Sequence, residues 1–413
     1  MIPPLRLFKT NISMLNSYLL AAVFFFIPIK IGPAYVISGL LLLFWLLEGN
    51  LNEKWMCIKR QYLTWIFWLY FLIPFVSLIW SSDLLFGLMM AKRGLFFLWF
   101  PLYAYIARKE HLSLYVSSFL TALSITMFLA YYNWFQIHCF DNINYIKSVR
   151  NNDYWQIAPF INSIMYNPIL AFGAYLTGYL ALFKSQAGYV RLGYVLLFVL
   201  MTINMLISGG RAGQVGYFVM IGLLVFQYFS RRFVLSALVA IALISGIFFA
   251  GYYGSKTFNE RTDLAVNQII NYQNARNTPV ALRVNFIVNT WRMVLESPIL
   301  GVGVGDYPAE YSRINRIYTP EWLPTVNPHN QFLFVLSTTG LIGEISLFSV
   351  LFGPAYLARS IRDEWSGVRV ALPLLFIVIC FSESYLWRSN TGLLFVAFSA
   401  LLYPERPETV LQN

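Results

Sequence analysis

Long apolar runs, separated by short polar stretches, recur along most of the 413-residue chain. They are continuous and rich in Leu, Phe and Ile, which favours helices over the alternating strands of a membrane barrel. Because hydrocarbon offers the backbone no hydrogen-bond partner, a spanning segment must pair its own N–H and C=O groups. The pattern predicts an all-α polytopic membrane protein with about twelve transmembrane helices. They are placed at residues 15–31, 33–48, 61–80, 86–107, 112–133, 159–183, 191–208, 212–230, 233–251, 333–357, 370–386 and 390–403.

One long stretch lacks the spanning pattern and divides the chain into three parts. Residues 1–251 are predicted to hold about nine N-terminal transmembrane helices, and residues 330–413 about three C-terminal ones. Residues 252–329 between them predict a large periplasmic loop that contains short helices. Loops of this length are uncommon and tend to be functional.

An amphipathic helix is predicted inside this loop, over residues 284–295. Its apolar residues Val284, Ile287, Trp291 and Val294 are spaced to share one helix face. A proline ends the helix, and the glycines of the following "GVGVG" predict a flexible exit. A phosphate-binding loop is the weaker interpretation, because the Walker lysine is absent.

Composition and charge agree with a membrane location. Of all residues 58% are hydrophobic and 11% are charged, whereas soluble domains carry about 25% charged residues. Lys and Arg are concentrated in alternate segments between the runs, so the positive-inside rule places both termini in the cytoplasm and residues 252–329 in the periplasm. The net charge of +11 is scattered over many loops, which favours contact with membrane lipids over a nucleic-acid partner.

Metal and cofactor sites are not indicated by the sequence. The three cysteines and three histidines are far apart and show no metal-ligand spacing. We therefore predict no metal ligand, no cofactor and no disulfide.

Two arginines are candidates for binding an anion. Arg211, in "SGGRAG", lies at the external end of one predicted span where the next begins, and a cation there is costly unless it faces a partner or an aqueous cavity. Snorkelling to the interface is the alternative. Arg283 opens the amphipathic helix, and its planar guanidinium suits phosphate oxygens, although alone it is an ordinary surface arginine.

A cationic pair and a histidine complete the candidates. Lys92 and Arg93 lie within a predicted span, where they either serve the site or face lipid headgroups. His329, in "NPHN", stands where the large loop meets the next helix. A neutral imidazole there is a natural general base, and a purely structural histidine is the alternative.

Three segments together carry a resemblance to a known family. "SGGRAG", "ALRVNFIVNTWRMVLESPILGVGVGDY" and "NPHNQFLFVLSTTGLIGEISLF" resemble the O-antigen ligase and polymerase superfamily. In that superfamily a large late periplasmic loop ends in a Pro-His-Asn element, and the next helix carries a Gly-x-x-Gly, here Gly340 to Gly343.

The resemblance implies an inverting, metal-independent glycosyltransferase of the bacterial inner membrane, with a periplasmic active site. Its donor would be a glycan linked to undecaprenyl pyrophosphate. Arg211 and Arg283 would bind the pyrophosphate and stabilise its developing charge, while His329 would activate the acceptor hydroxyl. Further predicted substrate contacts are Lys92, Arg93, Arg292, Asn330 and Trp291.

The sequence favours a ligase over a polymerase. In a ligase the acceptor is the lipid A–core oligosaccharide, and the single dominant late loop agrees with this role. A polymerase that joins carrier-linked repeat units is the alternative, because Lys147 and Arg150 lie in an earlier external loop and Arg292 precedes Gly303 at a polymerase-like spacing. A transporter of lipid-linked sugars agrees less well, since it predicts charges near the bilayer midplane.

Overall fold

The computed structural model describes residues 3–139, 146, 155–184, 186–272, 274 and 276–403, with the backbone alone for residues 3–11. Within these residues the regular structure is helical throughout, so the predicted all-α class is confirmed. The α-helices are α1 (Pro3–Phe26), α2 (Ile31–Leu47), α3 (Leu51–Arg60), α4 (Tyr62–Val76), α5 (Leu84–Ala91), α6 (Phe100–Ile106), α7 (Leu112–Cys139), α8 (Ser163–Phe183), α9 (Gly188–Ile207), α10 (Arg211–Tyr228), α11 (Phe233–Gly254), α12 (Lys256–Ile270), α13 (Pro279–Glu296), α14 (Tyr307–Tyr318), α15 (Gln331–Leu357), α16 (Ser366–Cys380) and α17 (Ser389–Leu402).

Six helical stretches among the described residues are long and apolar enough to cross a membrane. Each predicted span coincides with one or more of the helices, but several of these helices are shorter than a bilayer requires. The count of about twelve spans and the periplasmic side of the large loop therefore stay predictions. Lys147 and Arg150, on which the polymerase interpretation draws, lie outside the described residues. The six stretches are Tyr62–Trp80, Leu84–Ile106, Lys109–Cys139, Gly188–Ile207, Phe233–Gly254 and Gln331–Ser360.

Side-chain caps define where several helices begin. Asp83, Asn162, Ser255 and Asn330 each accept a hydrogen bond from a backbone N–H in the first turn of α5, α8, α12 and α15, respectively. These residue types supply an oxygen acceptor to N–H groups that have no partner within the helix. Pro279 begins α13, where its missing N–H costs nothing.

Helix α15 reverses its direction at Gly340. This glycine has φ 63° and ψ −161°, a conformation open to glycine alone among common residues. The rings of Phe332 and Phe348 stack with centroids 5.9 Å apart, whereas a straight helix would separate them by about 24 Å along its axis. The prediction of one uninterrupted span here missed this reversal, which divides α15 into a short first arm and a longer second arm.

The glycine segment after α13 packs against this reversal. Val302 and Gly303 donate their N–H groups to the carbonyls of Ser337 and Thr338, each at 2.9 Å. A Cβ on Gly301 would lie only 2.5–2.7 Å from backbone atoms of residues 338–340. The glycine segment is therefore packed closely against the backbone of residues 337–340. Its interpretation as a flexible helix exit was wrong.

The far end of the same segment is tied to the turn between α4 and α5. The carboxylate of Asp306 accepts hydrogen bonds from the N–H groups of Ser82, at 2.8 and 2.9 Å, and of Asp83, at 3.0 Å. The N–H of Gly305 donates to Ser81 Oγ at 3.2 Å. The start of α14 is thereby fixed beside the end of a spanning stretch.

Candidate functional site

A small polar pocket of about 140 Å³ forms where α8, α10, α12, α13 and the turn after α16 meet. Three arginines and one glutamate contribute to its wall: Arg211, Arg261, Arg283 and Glu383. Three guanidinium groups around one carboxylate leave the pocket with an excess of positive charge. It is suited to an anionic group of small volume.

The glycines before Arg211 allow α10 to begin close to α8. The N–H of Gly209 donates to the carbonyl of Trp155 at 3.1 Å, and Asn167 Nδ2 donates to the carbonyl of Gly210 at 3.2 Å. A Cβ on Gly210 would lie 2.5 Å from the carbonyl oxygen of Ser163. The close packing of α10 on α8 therefore requires the small residues of "SGGRAG". It also places Arg211, the first residue of α10, in the wall of the pocket.

The other two arginines of the pocket come from consecutive helices of the predicted loop. Arg261, on α12, has its guanidinium carbon 4.7 Å from the ring centroid of Trp155. Arg283 lies in the first turns of α13. The two helices are joined by a hydrogen bond from the N–H of Val280 to Gln268 Oε1, at 3.3 Å. Arginines 72 positions apart in the sequence, Arg211 and Arg283, therefore line one pocket.

His329 is linked to the same pocket through Glu383. Its Nδ1 lies 2.8 Å from Glu383 Oε2. An ionised carboxylate can only accept, so Nδ1 carries the proton and Nε2 is left as the acceptor of the neutral ring. The backbone at His329 has φ 54°, held by a 2.8 Å hydrogen bond from its N–H to Asn327 Oδ1. Side chain and backbone together orient the imidazole.

Glu383 lies in the turn after α16, outside the six candidate membrane-spanning stretches of the described residues, and its side chain is 3% exposed. Besides His329, it accepts hydrogen bonds from Arg388 Nη2 at 2.6 Å and from the N–H of Ser384 at 2.9 Å. Burial alone would raise its pKa. The hydrogen bond from His329 and the positive charge of Arg388 outweigh burial and lower the pKa of Glu383 to about 2. The carboxylate is consequently ionised at neutral pH.

Lys92 and Arg93 line a second, larger cavity of about 680 Å³ with predominantly apolar walls. Its aromatic lining includes Tyr35, Trp68 and Trp99. Arg93 is close enough to interact electrostatically with Arg388 and Glu383. Arg93 therefore lies both at the apolar cavity and within electrostatic range of the carboxylate that holds His329.

Three other predicted substrate contacts lie apart from the polar pocket. Asn330 caps α15, with its Oδ1 accepting from the N–H of Leu333 at 3.1 Å. Arg292 stacks on Tyr318, 4.1 Å from the ring centroid, and donates to Asn289 Oδ1 at 2.8 Å. Trp291 is half-exposed on the outer side of α13. Asn330 and Arg292 thus have contacts within the protein, and Trp291 faces outward. None of the three lines either cavity.

Sequence reasoning missed Glu383, Arg388 and the placement of Arg261. Glu383 was overlooked because it fell inside the predicted span 370–386, although a lone acid within an apolar run is itself a signal of function. Among the described residues, groups of three or more His, Cys, Asp or Glu that could hold a metal are absent.

Residues 196–348 match the family model described as O-antigen ligase. The matched region covers just over a third of the chain. The resemblance predicted from the sequence is thereby confirmed. The matched region includes Arg211, Arg283 and His329, whereas Glu383 and Arg388 follow it in the chain. Together with the apolar helices, the match supports a multi-pass membrane glycosyltransferase of the ligase or polymerase type, acting on lipid-linked glycans.

Two curated proteins are similar to this chain over longer stretches. The teichuronic acid biosynthesis protein TuaE of Bacillus subtilis (strain 168) is 22% identical over 371 residues, which cover 87% of this chain and 74% of the relative. An uncharacterized protein of Haemophilus influenzae is 24% identical over 235 residues, which cover 53% of this chain and 57% of that protein.

Proposed function

We propose that this protein is an O-antigen ligase, which moves a glycan from undecaprenyl pyrophosphate to the lipid A–core oligosaccharide at the periplasmic face of the inner membrane. The observation that carries the proposal is the link of His329, through Glu383, to a pocket lined by Arg211 and Arg283. A base and a cationic anion site are the two elements that transfer from a pyrophosphate donor requires.

In the proposed reaction, His329 Nε2 takes the proton of the acceptor hydroxyl. The freed oxygen bonds to the anomeric carbon of the donor glycan, and the bond from that carbon to the pyrophosphate oxygen breaks. The electron pair leaves with the lipid pyrophosphate. Because attack and departure occur on opposite faces of the sugar ring, the anomeric configuration inverts.

The charges around His329 support these roles. Glu383 keeps the proton on Nδ1 and stabilises the imidazolium that forms when Nε2 becomes protonated. The guanidinium groups of Arg211, Arg261 and Arg283 face the pocket where negative charge would develop on the leaving pyrophosphate. Lys92 and Arg93, at the apolar cavity, would attract the same lipid-linked anion.

A polymerase is the second candidate function, and the similarity to the Bacillus subtilis protein supports it. That protein is named for teichuronic acid biosynthesis and aligns with 87% of this chain. In a polymerase the same base and arginines would serve an acceptor that is itself carrier-linked. The two candidates therefore differ in the acceptor and not in the chemistry at the anomeric carbon.

A complementation experiment separates the two candidates. The gene is expressed in one strain that lacks its O-antigen ligase and in another that lacks its polymerase, and lipopolysaccharide is analysed on gels. We expect a restored ladder in the ligase-deficient strain, lost with His329→Ala and kept with Arg316→Ala, a change of an exposed arginine on α14. Longer chains in the polymerase-deficient strain alone would assign polymerase activity instead. Failure in both strains and in the native organism would contradict both candidates.

A further inference from the structure

Helix α13 buries polar side chains together with apolar ones on its inner face, and its outer face is apolar. Asn285, Asn289 and Thr290 are buried on its inner face. Asn289 Nδ2 donates to Thr319 Oγ1 at 2.7 Å, and the hydroxyl groups of Thr290 and Tyr307 are paired at 2.8 Å. These polar side chains form hydrogen bonds with other side chains of the protein. Such internal pairing is required of a segment that lies in a membrane, where no water is available.

The outer face of α13 is an uncharged apolar stripe. Five residues share it at helical spacing and are 37–65% exposed: Val284, Ile287, Val288, Trp291 and Leu295. Val294, which the sequence pattern assigned to the same face as Val284, is instead buried on the inner side. A contiguous apolar surface of this kind marks an interaction site, because contact with water would be unfavourable along its whole length.

This stripe continues into the surface of a membrane-spanning helix. Ile299 and Leu300 follow the end of α13 with their side chains largely exposed. The carbonyl of Pro298 accepts a 3.0 Å hydrogen bond from the N–H of Leu341, which begins the second arm of α15. The exposed residues of that arm, Leu341 and Ile345 among them, are apolar in turn. Since this arm belongs to a candidate span, its exposed apolar residues form the lipid-facing surface with which the stripe is continuous.

We infer that the outer face of α13 is immersed in the acyl chains of the surrounding bilayer. Residues 252–329 are then a partly membrane-embedded layer rather than a wholly aqueous loop. Trp291 acts there as a lipid-facing anchor rather than as a sugar contact. Arg283 is on the same helix, so contact of α13 with lipid also fixes the depth of one pocket arginine. The inference requires only a membrane location and is independent of the reaction proposed above.

Fluorophore quenching in proteoliposomes tests this inference with the full-length protein. Cys57→Ser, Cys139→Ser and Cys380→Ala remove the native cysteines. Val288→Cys and Leu295→Cys then each introduce one labelling position on the stripe, so that one variant suffices if the other fails to fold. Ile345→Cys on α15 serves as the lipid reference. Lys256→Cys, at a side chain 81% exposed on α12, serves as the aqueous reference.

The labels at positions 288 and 295 are expected to follow the lipid reference. Their emission should be shifted to the blue and quenched by a phospholipid that is spin-labelled near its headgroup, and iodide quenching should be lost relative to Lys256→Cys. Iodide quenching equal to that of Lys256→Cys, without quenching by lipid, would place the stripe in water and overturn the inference. Protection from both quenchers would assign the face to a protein neighbour and overturn it as well. Disulfide formation between Leu295→Cys molecules would then identify that neighbour as a second copy.

Discussion

His329 and Glu383, 54 positions apart in the sequence, are joined by a 2.8 Å hydrogen bond between the imidazole Nδ1 and a buried carboxylate oxygen. The pair bridges two regions of the chain, because His329 precedes α15 and Glu383 follows α16. It also connects the proposed base to the arginine-lined pocket, whose wall includes Glu383. In the proposed reaction the acid would therefore position the base, and this role can be tested separately from that of the base.

Glu383→Gln should slow glycan transfer while leaving substrate binding nearly intact. The amide has no charge to stabilise the imidazolium and does not impose one tautomer on His329, so we expect kcat to fall by about 10- to 100-fold with little change in KM. Kinetics with purified donor and acceptor measure both constants. Glu260→Gln, which changes a half-exposed acid on α12, is the matched control and should leave kcat unaltered. An equal loss in both variants would contradict a specific role for Glu383.

The low pKa of Glu383 predicts a stability difference that depends on pH. Its pKa is lowered from 4.5 to about 2 in the fold, so the ionised form contributes about 3 kcal/mol to the free energy of unfolding. This contribution is fully present above pH 4.5 and is lost as the pH falls towards 2. Thermal unfolding in detergent should show wild type more stable than Glu383→Gln at neutral pH, with the gap closing in that acidic window. A gap that does not change down to pH 2 would argue against an ionised, paired Glu383.

Arg283→Ala should reduce the rate of transfer by about 10²- to 10³-fold, because a preorganised cation at the leaving group is removed. Arg283→Lys keeps the charge but loses the two-pronged guanidinium, so it should recover only part of the activity. Arg316→Ala controls for the loss of a loop arginine, since its side chain is exposed on α14. Radiolabelled glycan transfer in membranes measures all three variants at matched protein levels. Activity of Arg283→Ala within the range of Arg316→Ala would remove Arg283 from the proposed site.

Gly340→Ala should destabilise the protein by about 1–3 kcal/mol, because alanine is strained at φ 63°. The new Cβ would also meet the backbone carbonyl of Ile299. Gly246→Ala provides the opposite control, since a Cβ at this position of α11 meets no atom within 4 Å. Melting temperatures in detergent should fall for the first variant and stay level or rise for the second. Equal melting temperatures would show that the reversal at Gly340 tolerates a side chain.

The helices and three of the pocket-linked residues could be predicted from local patterns. Apolar runs of spanning length locate helices because the backbone must pair within the segment, and Arg211, Arg283 and His329 stand out as polar groups in apolar or junctional contexts. Their convergence depends on how α10, α13 and α15 pack, which no local pattern encodes. Glu383 was missed because it fell inside the predicted span 370–386, and its contact with His329, 54 positions away, is visible only in the folded chain.

Two features of the predicted loop required the tertiary structure. Hydrophobic periodicity shows that α13 has an apolar face but not which way it points. Here the buried Tyr307 and the half-buried Thr319 form hydrogen bonds that hold Thr290 and Asn289 inward. The sequence alone does not show that the chain reverses at Gly340. The reversal is evident only from the structure, where the backbone of Ile299 and Leu300 approaches this glycine. Within a run as apolar as 332–348, hydropathy alone is the same for a straight helix and for a folded one.

The turn of α15 at Gly340 also sets how far His329 lies from the end of the candidate span Tyr62–Trp80. The tip of the turn packs against the glycine segment, which is held beside Ser81 at the end of a spanning stretch. The nine residues of the first arm lead about 14 Å away from that tip, to where Gln331 Nε2 donates to the Tyr70 hydroxyl at 3.2 Å within α4. His329 stands at this far end of the first arm, just before Gln331. In the proposed reaction, a base held at this fixed distance would act on the sugar bonded directly to the lipid phosphate, so the length of the glycan would not alter which bond is cleaved.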